Sequence, residues 1–371
     1  MKTVTVIMSS YNGSSFIERQ IKSIYNQKDV SINCFIRDDG SSDNTLQILT
    51  ELQKEYANLS FIVGDNVGWE KSFLIALSLA PQADYYAFAD QDDIWFDNKI
   101  INGLNQLAQY PDNEVVMFHC NKISVNGDLT PLSHQIKRLS RPINRQNAVV
   151  QEYAQGCSII FNNAAKNLLT RRLPIEKIAH DFWVGLVCFM FGHVIYDCNP
   201  YFYHINYGNN ASGEGHLLKS WQKRWRMFWG TKNVYYLPSL DLLSDAYVDL
   251  LTDEDKIFLQ QTLDYKINIR SKLNLLFSLK FRRASLLGTL SLKCAIVFNR
   301  FFFILFKNMG NKRIAINGQF TARKMTGQER FAYEIVKELD LIVDAKDWVL
   351  VVPKDAVNIP KLYNIPIIKY G

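Results

Sequence analysis

The feature that most constrains this chain is an alternation running from Thr3 to His119. Short runs of β-branched and aromatic residues are separated there by longer amphipathic ones. A two-residue period that repeatedly gives way to a 3.6-residue period describes strand–helix–strand units, whose strands lie parallel with helices over the sheet. The spacing predicts strands over residues 3–9, 33–37, 59–63, 85–89 and 115–118, and helices over 14–27, 43–56, 70–80 and 97–109; Ile17, Ile21 and Ile24 supply the first helix's apolar stripe. The expected class is α/β, a doubly wound sheet. Such sheets bind ligands at the carboxyl ends of their strands. There the chain keeps its polar clusters: Ser9-Ser10-Tyr11-Asn12, Asp38-Asp39-Gly40-Ser41-Ser42-Asp43, Asp65-Asn66-Val67-Gly68 and Asp90-Gln91-Asp92-Asp93.

The last cluster follows the apolar run Tyr85-Tyr86-Ala87-Phe88-Ala89. Carboxylates at the end of a buried strand are costly unless they meet a cation or a polar cleft. Hard oxygen donors of this kind suit magnesium or manganese, and the competing explanation is an acidic turn that caps the next helix. In the second cluster, Gly40 permits a tight turn and Ser42 or Asp43 can cap a helix, which leaves Asp38 and Asp39 without a structural reason. Two carboxylates there can accept from a nucleoside's ring N–H and ribose hydroxyls.

With 371 residues, 48% of them hydrophobic, the chain exceeds one typical domain. The alternation loosens after about Val150 into a mixed, aromatic-rich segment that contains His180-Asp181-Phe182-Trp183. Residues 215–310 read as mostly helical and carry 15 Lys or Arg against 7 Asp or Glu, so the formal charge of +6 belongs to one region. Within it Trp221, Trp225 and Trp229 share a helix face beside Lys219, Lys223, Arg224 and Arg226. The apolar stretch 284–306 is interrupted by Lys293 and Arg300, which suits an interfacial or packed helix pair better than a membrane span. Beyond Lys312 a strand at 313–317, a helix at 328–339 and a strand at 348–352 read as the opening of a second α/β unit. The expected domains are therefore 1–213, 214–310 and 311–371. Six scattered cysteines without a CxxC pair suggest neither a zinc site nor a disulfide framework. The first residues run directly into a strand without a secretory h-region, which places this domain in the cytoplasm.

Taken together, Ser10-Tyr11-Asn12, the Asp38–Asp43 cluster, Gly68 and Asp90-Gln91-Asp92 resemble the inverting, GT-A fold family 2 glycosyltransferases over roughly residues 1–213. Asp90-Gln91-Asp92-Asp93-Ile94-Trp95, Gln155-Gly156-Cys157 and His180-Asp181-Phe182-Trp183 resemble that family's rhamnosyltransferase branch in bacterial cell-surface polysaccharide synthesis. The resemblance implies a nucleoside-diphosphate sugar donor, dTDP-rhamnose or a UDP-sugar, with Mn2+ or Mg2+ as cofactor. It assigns Ser10, Tyr11, Asn12, Asp38, Asp39, Gly68 and Asp90 to the donor and Asp92 to the metal. Asp181 is assigned as base, while Trp95, Gly156, Cys157, His180 and Trp183 fall on the acceptor side. The chain departs from the pattern at Tyr203-His204-Ile205-Asn206-Tyr207-Gly208-Asn209-Asn210. Tyr207 stands where relatives place a metal-approaching histidine, and His204 becomes the substitute candidate, with simple packing as its alternative.

Enzymes of this kind resemble those that extend a glycan on a polyprenyl-diphosphate lipid. The tryptophan face with its cations suits the cytoplasmic face of the membrane, in competition with packing onto the catalytic domain. Residues 316–332 resemble the beginning of a family 4, GT-B fold glycosyltransferase. A metal-dependent nucleotidyltransferase would need a Gly-rich basic loop after the first strand, where this chain has Ser9-Ser10-Tyr11-Asn12-Gly13. An inactive scaffold sits poorly with intact Asp92 and Asp181, and nucleic-acid binding sits poorly with helices apolar on one face.

Overall fold

The computed structural model describes residues 2–133, 144–174, 178–207, 236–298, 314–322, 326–342, 348–362, 365 and 367–370. The Trp221–Trp225–Trp229 face with its Lys and Arg neighbours, and Gly208-Asn209-Asn210, lie outside the described residues. The chain forms two units, Met1–Phe303 and Ile304–Gly371.

In the first unit, β1 (Thr3–Ser10), β2 (Ser31–Asp38), β3 (Leu59–Val63) and β4 (Tyr85–Ala89) are parallel, and α1 (Ile17–Tyr25), α2 (Thr45–Glu55) and α3 (Trp69–Leu79) connect them. These are the elements expected from the alternation. The sheet then continues with β5 (Ile94–Trp95), β6 (Val116–Asn126), β7 (Ile159–Asn162) and β8 (His193–Asn206); the start of β6 is the strand expected at 115–118, while the other three have patterns too short or too irregular to read. Its order is β3-β2-β1-β4-β7-β6-β8-β5, with β7 antiparallel to β4 and β6, and β5 antiparallel to β8. The sheet is thus doubly wound and mixed.

Both faces are covered, so the central strands are apolar on both sides. Val4, Val6 and Met8 of β1 and Tyr85, Ala87 and Ala89 of β4 pack with Ile17, Ile21 and Ile24 of α1 and with Ile100, Leu104 and Leu107 of α4 (Lys99–Leu107). Ile7, Tyr86 and Phe88 point the other way, toward Phe73 and Leu77 of α3. That second face also receives a short helix α5 (Arg145–Ala148), α6 (Asn163–Thr170) and α7 (His180–Phe191). The helical region continues the same core. Leu240 and Leu243 of α8 (Tyr236–Ala246), Phe258 and Leu259 of α9 (Asp253–Asp264), Leu275 of α10 (Ile269–Phe277), and Leu292 and Ile296 of α11 (Leu286–Val297) all join it. Among the described residues no helix is long and apolar enough to cross a membrane.

The second unit holds β9 (Ile314–Asn317), α12 (Gly327–Ile342), β10 (Trp348–Pro353) and β11 (Ile367–Tyr370). Its three strands are parallel in the order β11-β10-β9 over a small core of Val336, Leu350, Val352 and Ile365.

Candidate active site

Register alone brings the strand ends together. Ser10 lies opposite Asp38 across β1 and β2, and Met8 lies opposite Ala89, the residue before Asp90. The Ser10 hydroxyl donates to Asp38 Oδ2 at 2.8 Å, and the Ser41 amide and hydroxyl donate to Oδ1 and Oδ2 at 2.8 and 2.6 Å. Asp39 pairs with Arg37 and accepts from the amides of Val67 (3.0 Å) and Gly68 (2.9 Å). Both carboxylates, expected to face a donor, are buried, at 0% and 2% exposure. In this structure their acceptor capacity goes into tying three loops together. Gly40 and Gly68, at φ 81° and 88°, give these loops conformations that L side chains rarely adopt.

The loop after β1 is bolted to the acidic turn. Gln91 accepts from the Tyr11 amide and donates to the Tyr11 carbonyl, both at 3.0 Å. A Cβ at Gly13 would lie 2.3 Å from Gln91 Oε1. Asn12 accepts from the Ser42 amide at 2.8 Å, and its own amide donates to the Ser41 hydroxyl at 2.9 Å. These bonds leave the Tyr11 ring exposed as a flat surface beside the strand ends. Gln91 was missed as a site residue because sequence offers no sign of a bidentate side-chain-to-backbone bond.

In the acidic turn, Asp90 and Asp92 are partly open while Asp93 is fully buried. Burial, then the charges of Asp93 and Asp92, push Asp90 up to about 7; burial and Asp93 push Asp92 up to about 6. Asp93 bonds His204 Nδ1 at 3.0 Å because β5 pairs Ile94 with Tyr203. Burial opposes charging of His204, yet the Asp93 partner outweighs it and raises its pKa. His204 therefore stands with Asp93 and Cys157, their donor atoms within 4.8 Å of one another, and not with Asp92 as expected from sequence. Cys157, expected on the acceptor side, is buried under this turn, where its thiol lies against the carboxyls of Asp90 and Asp93. Trp95 is buried as well, with the Lys99 ammonium 3.2 Å from its ring centre; burial lowers Lys99 to about 8. Asp93 Oδ2 is buried with no hydrogen-bond partner. A turn with two carboxyls held up by burial and repulsion and one orphaned carboxylate oxygen is short of positive charge, and this fits a hard divalent cation.

The opposite wall is α7. Asp181, in its first turn, accepts from the Phe182 amide at 2.8 Å and shares a hydrogen bond with Glu152. Burial, then the charge and hydrogen bond of Asp181, raises Glu152 to about 8. Glu152 was also missed: it is a lone acid in an irregular stretch, brought to Asp181 only by tertiary packing. His180 is buried, stacked on Phe73 at 4.0 Å and edge-on to Phe88 and Trp69, and neither ring nitrogen has a hydrogen-bond partner. Burial lowers it to about 4. Trp183 is fully buried edge-on to Tyr247. His180 and Trp183, expected to meet the acceptor, are thus core residues that aim Asp181. Gly156 lets His180 approach, since a Cβ there would lie 2.3 Å from Nε2.

The two walls adjoin. The Gly68 amide donates to Asp39, the next residue Trp69 touches His180, and the Gly156-Cys157 pair joins His180 to the acidic turn.

Comparison with known proteins agrees with this geometry. Residues 5–169 match the family model described as Glycosyl transferase family 2. The chain is 46% identical over 106 residues to dTDP-rhamnosyl transferase RfbG of Shigella flexneri, covering 27% of this chain and 37% of that protein. It is 27% identical over 184 residues to an uncharacterized glycosyltransferase of Nostoc sp., covering 48% and 56%. The chain thus spans about a third to a little over half of these relatives' length. Among solved structures it resembles S. aureus TarS 1-349 in complex with UDP-GlcNAc, with TM-score 0.50, 16% identity, and coverage of 76% of this chain and 78% of that one. The mixed sheet followed by helices is therefore of the GT-A type.

Proposed function

We propose that this chain, a glycosyltransferase with a family 2 domain over residues 5–169, moves a sugar with inversion from a nucleoside diphosphate to a glycan acceptor in bacterial cell-surface polysaccharide synthesis. The favoured donor is dTDP-rhamnose, supported by the similarity to the Shigella flexneri enzyme, with a UDP-sugar as the second choice. The favoured acceptor is a glycan on a polyprenyl diphosphate at the cytoplasmic face of the membrane. The C-terminal unit is read as the first strands of a second, GT-B-type fold.

One observation supports the reading: the turn Asp90–Asp93 is short of positive charge, and the adjacent residues Cys157 and Gly156 lie against that turn and against His180, the neighbour of Asp181. Asp92, with Asp90 beside it, would hold Mn2+ or Mg2+. A divalent ion, when bound, offsets the negative charge that develops on the departing diphosphate. The exposed Tyr11 ring gives the nucleoside base a surface, and the Asp38 and Asp39 networks hold that surface in place. Asp181 takes the proton of the attacking hydroxyl at a carboxylate oxygen. Its partner Glu152, protonated below about pH 8, donates to it and fixes its orientation.

The test is release of nucleoside diphosphate from a panel of sugar nucleotides with manganese or magnesium and a lipid-linked acceptor. Asp181→Asn should abolish transfer while donor binding, read by calorimetry, stays within a few-fold. Turnover retained in that variant removes the base assignment. Donor binding without turnover by the unaltered chain favours a scaffold.

A further inference from the structure

The outward residues of α10 and α11 do not form an ordinary water-facing surface. On α10, Ile269, Leu273 and Phe277 recur every four residues and are all exposed, Phe277 at 79%. On α11, Leu286, Leu290 and Val297 share a face and are exposed, and Phe298 follows them. Ile267 and Leu279, just outside α10, stand 85% and 87% exposed. Helix α11 has apolar residues on more than one face, so turning Leu292, Ala295 and Ile296 into the core leaves Leu286, Leu290 and Val297 outside. Single exposed hydrophobes are normal, but two neighbouring stripes are of the kind that marks an interaction site.

The polar groups of this pair are already provided for. Lys293, in the middle of α11, donates to the carbonyls of Leu275 and Ser278 at the end of α10, and Lys272 donates to the Val297 carbonyl at 2.9 Å. Burial lowers Lys293 to about 8, consistent with an ammonium withdrawn from water. What remains outward is mostly apolar side chain and cation, with Asn268, Asn274, Ser285 and Ser291 as the uncharged polar residues among them. Residues 267–298 contain six basic residues, Arg270, Lys272, Lys280, Arg282, Arg283 and Lys293, and no acidic one. Arg270 and Arg282 are exposed, and the Lys280 ammonium pairs with Glu254.

We propose that the outward stripes of α10 and α11, with Arg270 and Arg282 beside them, form a docking surface for an anionic phospholipid bilayer. Apolar side chains enter the acyl boundary while cations meet anionic headgroups, the signature of an interfacial helix. The single sign of charge across 32 residues is complementary to a lipid surface, and capped helix carbonyls tolerate its low dielectric. This gives the membrane contact of the reading above a described surface. It does not depend on the transfer chemistry, because its test reads binding alone.

The test is flotation of the full chain with phosphatidylcholine vesicles and with vesicles that also contain phosphatidylglycerol. The expected result is partition onto the anionic vesicles that weakens with salt, and little onto the neutral ones. Phe277→Asp with Leu290→Asp should weaken it on the order of tenfold or more. Should that pair unfold by circular dichroism, Arg270→Glu with Arg282→Glu, both at exposed positions, carries the test with a similar expected loss. Absence of binding at low salt, or variants that float like the parent, overturns the proposal. So does a dimer in light scattering that the variants dissolve, since a second copy would then cover the stripes.

Discussion

Replacing His180 by leucine separates a core histidine from an acceptor-binding one. Its ring is buried among Phe73, Phe88 and Trp69, and burial lowers its pKa from 6.5 to about 4. Above pH 6.5 the residue is neutral in both folded and unfolded chains and contributes no pH dependence. As pH falls through 6.5 the unfolded chain takes up a proton that the folded chain refuses, and stability is lost until the folded chain titrates near 4. At ~1.4 kcal/mol per unit the full loss is about 3 kcal/mol, of which about 2 kcal/mol is reached by pH 5. Leucine has a similar volume, and whatever repacking it costs is the same at both pH values. Urea unfolding of the parent and of His180→Leu at pH 7 and pH 5 measures the difference. The parent should lose about 2 kcal/mol more than the variant over that interval. Equal losses would refute the burial argument and return His180 to the open cleft.

Arg37→Leu removes one partner of a buried pair and leaves Asp39 uncompensated beneath two loop amides; urea unfolding should show a loss of about 3–5 kcal/mol. Gly156→Ala drives a methyl into His180, which its aromatic neighbours hold in place, and should cost about 1–3 kcal/mol in the same assay. Asp92→Asn should weaken manganese-dependent nucleotide binding in calorimetry by tenfold or more, on the order of one charge-assisted contact, while metal-free binding changes little. Glu152→Gln keeps a donor beside Asp181 but removes a group that titrates at about 8, so a step near pH 8 should vanish from the parent's pH–rate profile. Superimposable profiles between pH 7 and 9 would show that the pair plays no part in transfer.

How far the sequence could be read follows from the range of the interactions. Strands β1 to β4, their helices and the polar clusters at their ends are written locally, in a period of two against a period of 3.6 and in turn residues such as Asp38-Asp39-Gly40. Strand β7 has four residues, all buried, and β5 has two; each is a strand only because β4, β6 or β8 lies beside it. The same limit applies to side chains. The types at the site were legible: carboxylates at Asp92 and Asp181, to which the proposal gives a cation and a proton. Their partners were not. That Asp38 spends itself on Ser10 and Ser41, that His204 turns to Asp93, and that Glu152 reaches Asp181 are contacts between segments far apart in the chain. His180 and Trp183 looked functional beside Asp181, yet the helix they belong to is buried on nearly every side, between the sheet and the later helices, and both rings go into that core. On its own, then, the sequence determined the α/β class, the end of the sheet where the polar groups gather and the chemical kinds of those groups, because periodicity and turn chemistry act over a few residues. Which carboxylates stay open and which are consumed by the scaffold was decided by the tertiary structure alone, because burial and pairing depend on segments that only folding brings together.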